Sequence, residues 1–339
     1  MGPPRNRDIR LNSRPSGLPQ PGDFELVEGP IPTPAAGQAL VLNLFMSVDP
    51  YMRGRMADRR SYVAPFQLGE TLSGGAVGKV VTGNDRFAAG DYVLSQNGWR
   101  EWFVSDGTDL RKIDPSAAPV QAYLGVLGMP GLTAYAGLTR IAGLTKDDRV
   151  FVSAAAGAVG SVACQIALAK GCEIVVGSAG SDAKCAWLKE LGVTEAINYR
   201  ETDDLGAAVA DALPGGIDLY FENVGGTHLE AALDNMRERG RIVVCGLIDQ
   251  YNSAEPPPGP RNLGILLRRR LTMRGFIVID HFDLMDRFTE DMLKWIAEGK
   301  VKGRETIVDG IENAPAALVG LFHGDNIGKM LVKLAEDEG

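Results

Sequence analysis

Between residues 149 and 245 one pattern recurs: a short apolar run, then a segment of helical period. The runs fall at 149–154, 173–176, 195–198, 217–221 and 240–245, and the helical segments at 158–170, 183–191, 203–212 and 227–236. In the first helical segment Val159, Val162, Ala163, Ile166 and Ala167 share one face. Gly192 stops the second. Parallel strands need a crossover, and a helix is the usual one, so the alternation predicts an α/β fold with a doubly wound parallel sheet. The stretch Ala154-Ala155-Ala156-Gly157-Ala158-Val159-Gly160 lies where the first strand gives way to the first helix. That is the context in which a glycine fingerprint holds a dinucleotide. Gly157 lets the backbone approach a pyrophosphate, Gly160 lets helix and strand pack closely, and the helix start offers N–H groups and a positive dipole end. Ala155 stands where the fingerprint has its first glycine.

The first 125 residues read as β-rich. Strand-like runs at 40–44, 76–81 and 91–95 are punctuated by turn signals at Gly22-Asp23, Gly83-Asn84 and Gly90-Asp91, which predicts a small sheet or partial barrel. The texture changes near Val120, and 130–143 reads as a helix with Pro130 at its first position. Beyond the fifth strand comes a proline-stiffened loop, 249–262, read as a substrate lid or a dimer contact. A last strand at 271–278, an amphipathic helix at 283–298 and a strand–helix–strand tail at 305–334 follow.

Composition excludes several function classes. The 339 residues carry 35 Lys and Arg against 43 Asp and Glu, a net charge of −8, so no nucleic-acid partner is expected. The short run Arg268-Arg269-Arg270 reads as cover for a helix end. No apolar stretch approaches the ~20 residues of a membrane span, and the first 18 residues lack the apolar core of a secretory signal. The four cysteines (Cys164, Cys172, Cys185, Cys245) form no disulfide framework, which points to a reducing, cytoplasmic compartment. The first Cys is Cys164, the first of three scattered His is His228, and no CxxC occurs, so no metal site is expected.

The choice of nicotinamide coenzyme turns on one short segment. An NAD site carries an acid about 20 residues past the fingerprint, for the ribose 2′-hydroxyl. Here that region is Gly177-Ser178-Ala179-Gly180-Ser181, and Lys184, Tyr199 and Arg200 follow. A 2′-phosphate needs cations and hydroxyl donors and is repelled by carboxylates, so NADP(H) is favoured. Taken singly, Lys184 reads equally as a solvated helix lysine, and Tyr199 as an edge-strand core residue.

Five motifs stand in order: Asp49-Pro50-Tyr51-Met52-Arg53, Gly128-Met129-Pro130-Gly131-Leu132-Thr133-Ala134-Tyr135, the Ala155–Ser161 loop, Phe221-Glu222-Asn223-Val224-Gly225-Gly226 and Gly324-Asp325-Asn326-Ile327-Gly328-Lys329. Together they resemble the zinc-independent medium-chain dehydrogenase/reductases, in the branch of NADPH-dependent alkenal and enone reductases. The resemblance implies a GroES-like catalytic domain (1–125), a Rossmann NADP-binding domain (126–304) and a tail (305–339) returning to the first. It also implies NADPH, no zinc and a homodimer. It assigns coenzyme contacts to Gly157, Ala158, Val159 and Gly160, to Lys184 and Tyr199 at the 2′-phosphate, to Asn223, and to the segment from Cys245 and Gly246 to Tyr251. Phe276, Val278 and Asn326 match further contacts, and Met129 and Thr133 match residues beside the nicotinamide. Where the family's zinc enzymes carry an early thiolate, this chain reads Phe45-Met46-Ser47-Val48.

The chemistry expected is hydride transfer to the β-carbon of an α,β-unsaturated carbonyl, whose oxygen then carries negative charge and needs a donor. Tyr251, in the loop after the fifth strand, is the first candidate for that donor by resemblance; stacking on the coenzyme is its other reading. Tyr51 reads equally as a substrate-pocket phenol and as a buried structural tyrosine. Asn223 is a coenzyme contact or a turn former before Gly225-Gly226. Glu222 and Asp249 read as solvated or structural loop carboxylates, and Cys245 as buried and inert. Two other functions fit the same pattern: a quinone reductase of the same superfamily, and a non-catalytic NADPH-binding sensor.

Overall fold

Alternating apolar positions make the N-terminal strands one-sided, and Gly- and Asn-rich turns reverse them. The computed structural model describes residues 5–337. The chain begins β1 (Arg5–Leu11), β2 (Phe24–Pro30), β3 (Ala39–Ser47), the single turn α1 (Met52–Arg55), β4 (Ala76–Thr82), β5 (Tyr92–Ser95), β6 (Trp102–Ser105) and β7 (Arg111–Lys112). It continues α2 (Met129–Ala136), β8 (Arg149–Val152), α3 (Gly160–Ala169), β9 (Ile174–Ala179), α4 (Asp182–Glu190), β10 (Glu195–Asn198), α5 (Leu205–Ala212) and β11 (Ile217–Glu222). Then come α6 (Gly226–Asn235), β12 (Met236–Val244), α7 (Ile265–Arg269), β13 (Thr272–Gly275), α8 (Met285–Ala297), β14 (Glu305–Asp309), α9 (Ala314–His323) and β15 (Lys329–Lys333). Residues 125–304 form one unit; those up to Leu124, with those from Glu305 onward, form the other.

In the unit of residues 125–304 six strands pair in parallel in the order β10-β9-β8-β11-β12-β13. The chain lays down β8, winds outward through β9 and β10, then returns to place β11, β12 and β13 on the other side. Winding direction therefore reverses between β8 and β11, and at such a switch point the carboxyl ends of the strands leave a ligand crevice. Central strands of this kind are apolar on both faces. Phe151, Val152, Leu219, Tyr220 and Phe221 are accordingly fully buried, and Phe151 stacks on Tyr220 at 5.1 Å. On α8, Phe288, Met292 and Trp295 recur at helical spacing and are the buried face.

The other unit is built on a seven-stranded sheet of order β14-β15-β3-β4-β5-β7, with β6 also pairing β3, and on a β1–β2 antiparallel pair. β14 and β15 pair in parallel; the remaining pairs are antiparallel. The C-terminal strand β15 lies against β3, with Leu331 opposite Ser47. Ile9, Leu11, Met46, Trp99, Leu318 and Val332 pack in one core.

Several boundaries differ from the sequence expectation. The helix expected from residue 158 starts at Gly160, because the residues before it form the turn off β8. The helix expected over 130–143 is α2 followed by one wide π-type turn, Gly137–Ile141. There the Phe221 and Phe276 rings press so close that a Cβ on Gly137 would lie 2.6 and 3.1 Å from them. The strand expected over 271–278 pairs only as Thr272–Gly275, since β13 is an edge with one neighbour. The helix expected from 283 begins at Met285, after a 3-10 segment over Val278–Leu284.

Candidate active site

At the end of β8 the backbone makes an unfavourable turn. Ala154 has φ of +45°, a left-handed conformation that costs a residue with a Cβ about 1–2 kcal/mol. Ala155 N–H donates to the Ser178 carbonyl of β9 (2.9 Å), and Gly157 N–H to the Ala154 carbonyl (3.0 Å). A Cβ on Gly160 would collide with that same Ala154 oxygen, so close packing here requires glycine. No side chain caps the start of α3. By contrast Ser181 Oγ accepts from Lys184 N–H at α4 (3.4 Å), and Asp204 Oδ1 from Ala207 N–H at α5 (3.0 Å). The start of α3, like those of α2, α6, α8 and α9, therefore leaves backbone N–H groups without a side-chain cap.

Beyond β9 and β10 two of the candidate 2′-phosphate residues, Tyr199 and Arg200, lie against one glycine. A Cβ on Gly180 would lie 2.8 Å from the Tyr199 hydroxyl and 3.3 Å from Arg200 Nε. Lys184 stands in the first turn of α4. The adjacent acid, Asp182, accepts from Asn198 Nδ2 (2.8 Å). The Tyr199 and His228 rings meet edge to face, with centroids 4.8 Å apart and planes at 81°. Burial pushes the His228 pKa down to about 4, so the ring is neutral. That contact escaped the sequence reading, since nothing in the spacing of Tyr199 and His228 signals it.

The ends of β11 and β12 carry the next group. Asn223 Nδ2 donates to the Ser153 carbonyl (2.7 Å), which serves the turn and leaves the amide oxygen as an acceptor. Of its two readings Glu222 takes the structural one, and it is the last residue of β11 rather than part of the loop, with no exposed surface. Cys245 and Gly246 donate their N–H groups to the Glu222 carbonyl (2.9 and 3.1 Å). The Tyr251 hydroxyl lies over the same loop, accepting from Leu247 N–H (3.4 Å) and 3.1 Å from where a Cβ on Gly246 would be. Burial, and then the Glu222 charge, push the Cys245 thiol up to about 12, so it is no nucleophile. Thr133 Oγ1 donates to the Met129 carbonyl within α2 (2.7 Å). Phe276 packs on Gly137, and Val278 opens the 3-10 segment after β13.

Tyr51 and Asn326 belong to the other unit. Tyr51 precedes α1, and its hydroxyl is held above the usual tyrosine range, by burial first and then by Asp49. Asn326 is buried, its Nδ2 donating to the Gly328 carbonyl (2.6 Å). Lys329 joins the two motifs although 281 residues separate it from Val48. Its buried ammonium donates to the Val48 and Met330 carbonyls (both 2.8 Å) and pairs with Asp49 Oδ1 (3.2 Å). The Ser47 hydroxyl bonds the other Asp49 oxygen. The one sequence signal for this was a lysine heading the apolar run Met330-Leu331-Val332.

Among the described residues no group of three or more His, Cys, Asp or Glu is arranged to hold a metal ion. A family model described as the N-terminal domain of oxidoreductase matches residues 7–113, and one described as zinc-binding dehydrogenase matches residues 158–298. The chain is 43% identical to the 2-alkenal reductase (NADP(+)-dependent) of Nicotiana tabacum over 98% of both chains. It is 42% identical to the NADPH-dependent curcumin reductase of Escherichia coli strain K12, again over 98% of each. The crystal structure of CurA in complex with NADPH from Vibrio vulnificus superposes with a TM-score of 0.92, at 42% identity, covering 98% of this chain and 100% of that one. This chain therefore belongs to the medium-chain dehydrogenase/reductases, in the branch of the alkenal and enone reductases.

Proposed function

We propose that the chain is an NADPH-dependent reductase that saturates the C=C bond of α,β-unsaturated aldehydes and ketones. The observation that carries this reading is identity of 42–43% along nearly the whole chain to reductases named for 2-alkenals and for curcumin. The residues present fit the coenzyme: an uncapped helix start behind Gly157 and Gly160, and a glycine closed over by Tyr199 and Arg200. Gly157 to Gly160 would hold the pyrophosphate. Lys184, Tyr199 and Arg200 would hold the 2′-phosphate, and Asn223, Cys245, Gly246, Phe276, Val278, Met129 and Thr133 the remainder. NADPH, when bound, supplies the hydride that the β-carbon accepts.

The chain's own contribution is to orient the substrate and to meet the charge that develops on its carbonyl oxygen. Tyr251 is the leading donor to that oxygen, because its hydroxyl already lies over the loop at the carboxyl end of β12. Tyr51 is the second phenol. Its raised pKa keeps it protonated, as a donor must be. On this reading residues 125–304 are the NADP-binding domain, and the unit around β3 is the GroES-like catalytic domain. A homodimer is proposed through the β13 edge, where the strand is exposed and Leu263, Leu267, Ile279 and Phe282 lie open to solvent. The cytoplasm is the proposed compartment, supported by four free thiols.

The decisive test follows loss of NADPH absorbance with a linear 2-alkenal, beside NADH and quinone controls. A saturated aldehyde as product with NADPH preference supports the proposal. Turnover of the quinone alone overturns it in favour of quinone reduction, and coenzyme binding without any turnover favours the sensor. Tyr251→Phe is expected to lower kcat roughly 100-fold with NADPH affinity retained.

A further inference from the structure

Glu222 is a carboxyl with no exposed surface, and every group bonded to it is a backbone N–H or a hydroxyl. Burying such a group without a cation is strongly unfavourable unless its hydrogen bonds return something specific. Its Oε1 accepts from the Ser153 hydroxyl (2.9 Å) and from Val224 N–H (2.6 Å). Ser153 Oγ in turn accepts from Asn223 N–H (2.9 Å). The Glu222 carbonyl receives the N–H groups of Cys245 and Gly246, and the Asn223 and Val224 carbonyls receive those of Ile248 and Asp249 (3.3 and 3.0 Å). The carboxyl thus ties the segment leaving β8 to the turn after β11, while backbone carbonyls of that turn hold the segment leaving β12. Oε2 has no hydrogen bond of ordinary geometry, and the Tyr220 hydroxyl and Gly225 N–H beside the carboxyl favour its charged form.

We propose that Glu222 is a positioning residue for the nicotinamide half of the coenzyme site, its carboxyl fixing the Asn223–Gly226 turn against the loop after β8. The proposal rests on the coenzyme reading above. It makes a one-sided claim, because the adenosine-end residues Gly180, Tyr199 and Arg200 follow β9 and β10 and are not among the groups bonded to Glu222. Burial raises the proton affinity of the carboxyl and these donors oppose it, which agrees with a group held for its acceptor geometry.

The test measures dissociation constants of NADPH and of adenosine 2′,5′-bisphosphate, which lacks the nicotinamide half, on the full-length chain. Glu222→Leu and Ser153→Ala are each expected to weaken NADPH by about tenfold or more, the scale of leaving buried donors unmatched. Both should bind the bisphosphate like the unaltered protein. Glu222→Gln keeps the accepting oxygen and should retain NADPH affinity within about threefold. Should Glu222→Leu fail to fold, Ser153→Ala, which cuts only the relay, carries the test. Unchanged NADPH affinity in Ser153→Ala, equal loss of both ligands, or a Glu222→Gln loss as large as that of Glu222→Leu overturns the proposal. Failure of the unaltered protein to bind either ligand overturns the coenzyme reading itself.

Discussion

In the unit of residues 125–304 the candidate residues stand at the ends of parallel strands, and short-range backbone bonds hold them there. In the β-rich unit Tyr51 and Asn326 belong to motifs nearly three hundred residues apart, joined by one buried ammonium–carboxylate pair. The first arrangement follows from topology, since every strand of a parallel sheet delivers its carboxyl end to the same side. The second depends on long-range contacts, the pairing of β15 with β3 and the buried Lys329–Asp49 pair beside it. The first should therefore fail locally and the second as a whole.

The largest effect is expected at that contact. Lys329→Met leaves Asp49 buried without its cation and should destabilise the protein by about 4 kcal/mol in denaturant unfolding. Adding Asp49→Asn to Lys329→Met should return much of it. A loss below about 1 kcal/mol in Lys329→Met would erase the contrast. Local failure is tested at Lys184. Lys184→Ala should weaken NADPH by roughly 30-fold, about 2 kcal/mol, and leave NADH nearly unchanged. Equal losses of both coenzymes would remove Lys184 from the 2′-phosphate.

His228 sharpens the comparison through pH. Its folded pKa is about 4, below the unfolded value of about 6.5, so the unfolded chain binds the proton first as pH falls. The stability present above about pH 6.5 is then lost on the way down to about pH 4, with about 2 kcal/mol gone at about pH 5. Subtracting the pH profile of His228→Phe isolates this loss, and identical profiles would refute it. The smallest effect belongs to Arg269, whose guanidinium donates to the Leu233 (3.4 Å), Asp234 (2.9 Å) and Met236 carbonyls at the end of α6. Arg269→Ala should cost about 1 kcal/mol of unfolding free energy, with coenzyme affinity untouched.

Much of the α/β unit was legible because its information is local. Periods of 2 and 3.6 residues are written along each segment, and the short strand at 195–198 fell where expected. The start of α3 was misplaced by two residues because the left-handed turn belongs to Ala154, a residue type that does not announce one. Lys184, Tyr199 and Arg200 are legible together as 2′-phosphate candidates, but the approach of Tyr199 and Arg200 to Gly180 depends on β9 and β10 lying side by side. For Glu222 the sequence leaves solvated and structural readings open because solvation is a property of surroundings: a carboxylate before Asn-Val-Gly-Gly reads as a loop residue until β8 and β12 close around it.

The amino-acid order by itself determined the alternation of strand and helix, the glycine loop between them, the absence of soft metal ligands before Cys164 and the lack of an acid at the ribose position. Each depends on residue type and near spacing, which chain connectivity preserves. Tertiary structure alone decided that Lys329 reaches Asp49, that Tyr199 rests on His228, and that Ser153, Glu222 and Cys245 share one set of hydrogen bonds. Burial and partnership arise only when distant segments exclude water together, and no local pattern records which segments those will be.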